Sequence, residues 1–129
     1  MKKPTVVIAE DDAVIREGCL CASLEPFFEI VAAVEDGEAA VMSVEDYKPD
    51  VVLLDVSLPV LGGFDAARRI LAKHPETKLL FVSNYAERAY VEAAFEMGAS
   101  GYVFKGRAFT ELSDAIKTAL TGKFYRPAI

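Results

Sequence analysis

From Val51 to Pro59 the chain reads VVLLDVSLP. Four large apolar residues in succession are the pattern of a strand buried on both faces, as in the interior of a parallel sheet. Asp55 stands where that strand must end. A single carboxylate in such a place is ordinarily a turn former or a helix cap, so its meaning depends on what lies around it.

Working outward, four more short apolar runs share this character: Thr5–Ala9, Glu29–Val34, Leu79–Ser83 and Gly101–Lys105, with Val51–Asp55 in the middle. Between and after them lie segments of helical periodicity at Ala13–Leu24, Glu38–Tyr47, Phe64–His74, Glu87–Met97 and Thr110–Thr121. Asp12 or a neighbour is placed to cap the first helix; Gly98 and Gly122 follow the fourth and fifth, and Pro49 and Pro75 close the second and third. Strict alternation of strand and helix predicts an α/β, doubly wound fold with a parallel sheet and helices on both faces.

At 129 residues the chain has room for one domain. A net charge of −6, with no cluster of Lys and Arg, argues against direct nucleic-acid binding. No apolar run is long enough to cross a bilayer and no charged-then-apolar leader opens the chain, so no membrane role and a cytoplasmic location are expected. Cys19 and Cys21, two apart on a predicted helix, diverge and are read as small core residues rather than a metal or disulfide pair. His74, the one histidine, is read as a solvated helix-end residue.

In open parallel sheets, ligands bind at the carboxyl ends of the strands. Those ends carry Glu10, Asp11 and Asp12 after the first strand, Asp55 after the third, Ser83 and Asn84 after the fourth, and Lys105 after the fifth. Crowded carboxylates repel unless a cation sits among them, and Mg²⁺ suits one or two carboxylates with a carbonyl and waters. Lys105 is placed to pair with Asp55 or with an anion attached to it. Each residue alone is ordinary loop chemistry; the conjunction at one edge points to a nucleophile, a metal shell and a charge clamp.

With AEDD after the first strand, LLDVSLPVLGG around Asp55, FVSN at Ser83 and GASGYVFK ending in Lys105, the chain resembles the receiver domain of bacterial two-component response regulators over essentially its whole length. The resemblance implies a flavodoxin-like (βα)₅ sandwich of strand order 2-1-3-4-5. It implies that Asp55 accepts a phosphoryl group from a histidine kinase or phosphotransfer protein. Glu10, Asp11, Asp55 and the Ser57 carbonyl would hold Mg²⁺, with Mn²⁺ as an alternative, while Lys105 and Ser83 take phosphoryl oxygens. Tyr102 would be the aromatic switch that fills the space behind Ser83 on phosphorylation and alters the face of the fourth helix, fifth strand and fifth helix. A receiver homodimer formed on phosphorylation is a further partner on this reading. The domain itself would be a switch rather than an enzyme, catalysing only its own phosphotransfer and autodephosphorylation.

VIREG, GASGYVFK and GKFYRP resemble more narrowly the receivers that carry a C-terminal LuxR-type helix-turn-helix domain. On that reading residues 1–121 are the receiver and 122–129 begin a linker or tail, with DNA contacted only through an output domain outside these residues. Three positions depart from or tune the pattern. Asn84 stands where a small residue is usual, and with Tyr85 and Ser57 it is expected to govern access to Asp55 and the lifetime of the phosphoryl group. Gly106 replaces a frequent proline and leaves the Lys105–Gly106 peptide isomer open. Two enzyme-like or cofactor-binding rivals fit poorly: an aspartate-nucleophile phosphatase would need a second aspartate where Ser57 stands, and a flavodoxin would need a Ser/Thr/Gly loop where EDDA stands. A receiver that works by protein contact without phosphorylation remains the alternative.

Overall fold

The computed structural model describes residues 2–128. Its strands are β1 (Thr5–Ala9), β2 (Glu29–Val34), β3 (Val51–Leu54), β4 (Lys78–Ser83) and β5 (Gly101–Phe104). All pair in parallel, in the order β2-β1-β3-β4-β5. Every parallel step needs a crossover, and helices supply it. The first helix, α1, is wound in π geometry over Val14–Cys21 and finishes as an α-helix over Ala22–Leu24. α2 (Gly37–Tyr47), α3 (Gly63–Lys73), α4 (Arg88–Glu96) and α5 (Ala108–Leu120) follow.

Strand composition follows position in the sheet. Interior β3 is wholly buried, whereas β2, the edge, is only partly covered. Two apolar layers result. Val6, Ile8, Leu53, Leu80 and Val103 pack with α1 and α5 on one face. Val7, Val52, Leu54, Phe81 and Tyr102 pack with α2, α3 and α4 on the other. The winding reverses between β1 and β3, which puts the carboxyl ends of those strands beside the crevice that such sheets use for ligands.

The helix ends are set by local chemistry. Asp12 Oδ1 accepts from the Val14 and Ile15 N–H groups at 2.9 and 3.2 Å, the expected cap. Asp36 does the same for α2, accepting from Ala39 N at 2.7 Å. Gly98 and Gly122 end α4 and α5 with φ of +112° and +90°, a conformation that side chains with a Cβ avoid. α2 closes instead through Lys48 at φ 45°, one residue before the proline expected to stop it.

Boundaries shift by one or two residues from the sequence reading. β3 ends at Leu54, because Ala9 and Leu54 form the last rung of its ladder with β1. Asp55 still donates its N–H to Ala9 O at 3.2 Å but stands outside the strand. Lys105 likewise leaves β5 and opens a 3₁₀ turn, Lys105–Arg107, which lets α5 begin at Ala108. The described peptide bonds are all trans, Lys105–Gly106 included.

Cys19 and Cys21 are both free. Burial, together with Glu17 and Glu25, pushes the Cys21 thiol up to about 11, so it is a packing residue and not a reactive one. Among the described residues no helix is long and apolar enough to cross a membrane. Beyond α5 the chain turns back along the outer edge of β5, where Tyr125 bridges Gly101 in parallel.

Candidate functional site

Three strand ends build the site. Glu10 continues the direction of β1, its N–H bonded to Val34 O at 3.0 Å, and this buries its side chain. Arg16 on α1 holds the Glu10 carbonyl at 2.7 Å. Asp55 is 4% exposed. Lys105, just past β5, places Nζ 2.7 Å from Asp55 Oδ2 and 2.7 Å from Glu10 Oε1. The bond to Asp55 is well aligned. The approach to Glu10 is an ion pair, so the buried Glu10 Oε1 has the Lys105 ammonium as its partner. The other oxygens are held from their own loops: Glu10 Oε2 accepts from Asp12 N at 3.0 Å and Asp55 Oδ1 from Ser57 N at 3.2 Å.

Glycines bring the surrounding loop close. Gly63, the first residue of α3, donates to Val56 O at 2.9 Å and lies directly against the Asp55 carbonyl. Gly37 at the start of α2 meets the Leu61 carbonyl in the same way. Between them Val60 adopts φ 68° in a tight turn closed by Leu61 N to Pro59 O at 2.7 Å. The nucleophile candidate is therefore fixed through backbone packing as well as through its side chain.

Ligand oxygens of Glu10, Asp11 and Asp55 lie within 4.8 Å of one another. Burial raises the Glu10 pKa above the ordinary carboxylate value, opposed by the bond and charge of Lys105 and by the Asp12 N–H, and reinforced by Asp55. For Lys105, burial acts to lower the pKa, but the bonds and charges of Asp55 and Glu10 outweigh it and the net shift is upward. The ammonium therefore stays protonated.

The sign of the Glu10 shift has a consequence for stability. Between the ordinary value of 4.5 and its raised folded value, Glu10 holds more proton in the folded state than in the unfolded one. Stability therefore falls as pH rises through that window. In chelator-treated protein, urea midpoints measured upward from about pH 4.5 are expected to decline, and Glu10→Gln is expected to flatten that part of the slope. An unchanged slope in the variant would contradict the assignment.

The donor set fits a hard divalent cation. It offers only oxygens, those of Glu10 and Asp55 buried, beside an exposed Asp11 that keeps one side open to water. Of the four metal ligands expected from sequence, the carboxylates of Glu10, Asp11 and Asp55 are thus brought together. Ser57 sits beside them, exposed, with its N–H on Asp55 and its Oγ 3.0 Å from Tyr85 OH.

The β4 end supplies the second half of the site. Ser83 is fully buried and its Oγ accepts from Tyr85 N at 3.0 Å. Tyr102 is also fully buried, with its OH donating to Tyr85 O at 2.7 Å. The Tyr102 ring lies in the apolar layer shared with α2, α3 and α4. The reason is local: inside, the hydroxyl finds a carbonyl and the ring lies 6.2 Å from Phe81 and 5.9 Å from Phe104. Asn84 is exposed at the rim.

Sequence reasoning missed three contributors. Arg16 was one of two charges on α1. Tyr90, stacked on Tyr85 at 4.5 Å, carried no signal beyond helical periodicity. The Glu10–Lys105 pair needed the β1 and β5 ends in one frame, which composition does not supply.

Comparison with known proteins agrees with this geometry. Residues 6–117 match the family model of the response regulator receiver domain. The chain is similar to the transcriptional regulatory protein DegU of Brevibacillus brevis, 39% identical over 124 residues, covering 95% of this chain and 52% of that protein. It is 36% identical over 122 residues to the oxygen regulatory protein NreC of Staphylococcus aureus (strain JH9), covering 93% of this chain and 56% of that one. It thus spans about half the length of these curated relatives. Among solved structures, the signal receiver domain of NarL from Mycobacterium tuberculosis superposes with a TM-score of 0.89 at 30% identity, covering 95% of this chain and all of that one. A LuxR-family DNA-binding response regulator from Staphylococcus aureus gives 0.83 at 30% identity, covering 91% and 98%.

Proposed function

The chain belongs to the response regulator receiver domain family, and on that footing we propose that Asp55 is its phosphoacceptor. The observation that carries this reading is the buried Asp55 carboxylate, clamped by Lys105 on Oδ2 and faced by the oxygens of Glu10 and Asp11. One carboxylate oxygen attacks the phosphorus of a kinase or phosphotransfer-protein phosphohistidine, or of a small acyl phosphate. The new O–P bond forms as the P–N or P–O bond to the donor breaks, and the donor leaves with its electron pair.

Phosphoryl transfer asks mostly for positioning and charge neutralisation. Lys105 would move from pairing the carboxylate to pairing a phosphoryl oxygen, and the Ser83 hydroxyl would donate to another. Glu10, Asp11 and Asp55, with the Ser57 carbonyl, would hold Mg²⁺ or Mn²⁺, which when bound supplies positive charge against the transferred oxygens. Hydrolysis of the aspartyl phosphate would be the only other reaction of the domain.

The Ser57–Tyr85 contact at 3.0 Å spans the mouth of the site, and Tyr90 backs it. With Asn84 at the rim, this bridge would limit water at the acyl phosphate. Tyr85→Ala is accordingly expected to shorten the phosphoryl lifetime severalfold, read as loss of the protein-bound phosphate with time. A lifetime equal to wild type would remove the bridge from the account.

The wider reading follows the relatives. Residues 1–121 would form the receiver and 122–129 begin a linker to an output domain that controls transcription, as the name of the DegU relative describes for that protein. The histidine kinase partner and a receiver homodimer formed on phosphorylation belong to the same reading, and the location is cytoplasmic. Beryllofluoride, which mimics a phosphoryl group on a carboxylate, tests the centre of it. In Mg²⁺ the protein is expected to give a bound ¹⁹F resonance that Asp55→Asn lacks. A folded wild-type protein with no bound resonance would instead favour the phosphorylation-independent alternative.

A further inference from the structure

We propose that Phe124 to Arg126 form a strap on the outer edge of β5 whose docking is coupled to the state of Asp55. This rests on the phosphoacceptor reading and adds the element that carries the site's state out of the sheet.

The strap has three footings. Its backbone pairs with β5: Tyr125 N donates to Ser100 O at 2.9 Å, and Tyr102 N donates to Tyr125 O at 3.1 Å. These two bonds bracket Gly101, where an added Cβ would come 3.4 Å from Tyr125 Cβ and 2.7 Å from a Leu80 methyl. The side chains then alternate across the sheet edge as in a strand. Tyr125 packs toward the α1/α5 layer, with its OH donating to Glu111 Oε1 at 3.0 Å. Phe124 and Arg126 turn the other way, onto Phe95 of α4. The guanidinium lies 4.1 Å from that ring's centroid, and Phe124 meets it edge-on at 6.2 Å.

Tyr102 is the node that joins strap and site. Its backbone N–H holds Tyr125, while its side-chain OH holds Tyr85 O at 2.7 Å, and the Tyr85 N–H is held by Ser83 Oγ at 3.0 Å. Three hydrogen bonds, joined through the covalent frames of Tyr85 and Tyr102, therefore link the Ser83 hydroxyl to the strap. Docking pins β5 to both α4 and α5 while Tyr102 is inward and the β4–α4 loop is gathered over Ser83. The strap itself is lightly held. Phe124 is 64% exposed and only one rung joins Tyr125 to the sheet, which places it among segments that open locally. A docked strap favours the arrangement that receives phosphoryl oxygens, and by reciprocity a phosphoryl group on Asp55 tightens the strap.

The test uses the full chain and two variants. Tyr125→Pro removes the N–H that bonds Ser100, and Phe124→Ala combined with Arg126→Ala removes the α4 footing through exposed side chains that the fold does not need. Beryllofluoride affinity in Mg²⁺ is expected to weaken about fivefold in both. In wild type, adding beryllofluoride is expected to slow hydrogen exchange of the Tyr102 amide. Wild-type affinity in both variants, with Tyr102 exchange unmoved by beryllofluoride, would overturn the coupling while leaving Asp55 as phosphoacceptor. Failure of wild type to bind beryllofluoride would overturn the phosphoacceptor reading and the coupling with it.

Discussion

Gly63→Ala is expected to destabilise the protein by about 3 kcal/mol or more. The new Cβ would penetrate the Asp55 carbonyl oxygen, with Val56 Cα at 2.8 Å and the Asp55 carbonyl carbon at 2.9 Å close behind. All three are backbone atoms, so no side-chain rotation relieves the clash. Either α3 shifts away from the β3 end or the Asp55 backbone moves, and the second outcome misplaces the carboxylate. Gly62 provides the control. A Cβ there meets nothing within 4 Å, and its φ of −62° suits any residue. Gly62→Ala is expected to stay within about 0.5 kcal/mol of wild type in urea unfolding. Equal effects at the two positions would show that the α3 start does not bear on Asp55.

Lys105→Ala is expected to slow phosphorylation by about 100-fold or more, the scale seen when one preorganised charge-stabilising group is removed from a reacting centre. Its effect on the fold is expected to be smaller. Deleting one partner of a buried ion pair ordinarily costs about 3–5 kcal/mol because a charge is stranded. Here burial has already raised the Glu10 pKa, so Glu10 can take up a proton and leave Asp55 as the single buried charge. Rates with acetyl phosphate and urea midpoints on the same preparation separate the two effects. A variant that loses stability heavily yet is phosphorylated at the wild-type rate would contradict the assigned role.

Much of this arrangement was legible in the sequence because parallel α/β sheets tie function to strand ends. VVLL is buried on both faces, so the residue after it had to emerge at the sheet's edge, and Asp55 does. Ser83 and Lys105 follow from the same rule applied to β4 and β5, and Asp12 announces its cap. What stayed hidden depended on where side chains and tails turn after the elements end. Periodicity shows that Tyr102 lies on a strand but not that its hydroxyl reaches Tyr85 O. Nothing local in KGR reveals a 3₁₀ turn that lets one ammonium reach both Glu10 and Asp55. GKFYRP read as the start of a linker or tail, and nothing in it shows that Tyr125 pairs with β5, a long-range contact that no window of neighbouring residues contains. Gly63 looked like ordinary loop punctuation, and only the close approach of the Asp55 backbone shows why a Cβ is excluded there.

The proposed chemistry is phosphorylation of Asp55. Its most direct test is intact mass after incubation with acetyl phosphate or phosphoramidate, with and without Mg²⁺, beside Asp55→Asn. One added phosphoryl group is expected, dependent on Mg²⁺ and absent from the variant. An adduct that persists in Asp55→Asn, or no adduct on folded wild-type protein from either donor, would contradict it.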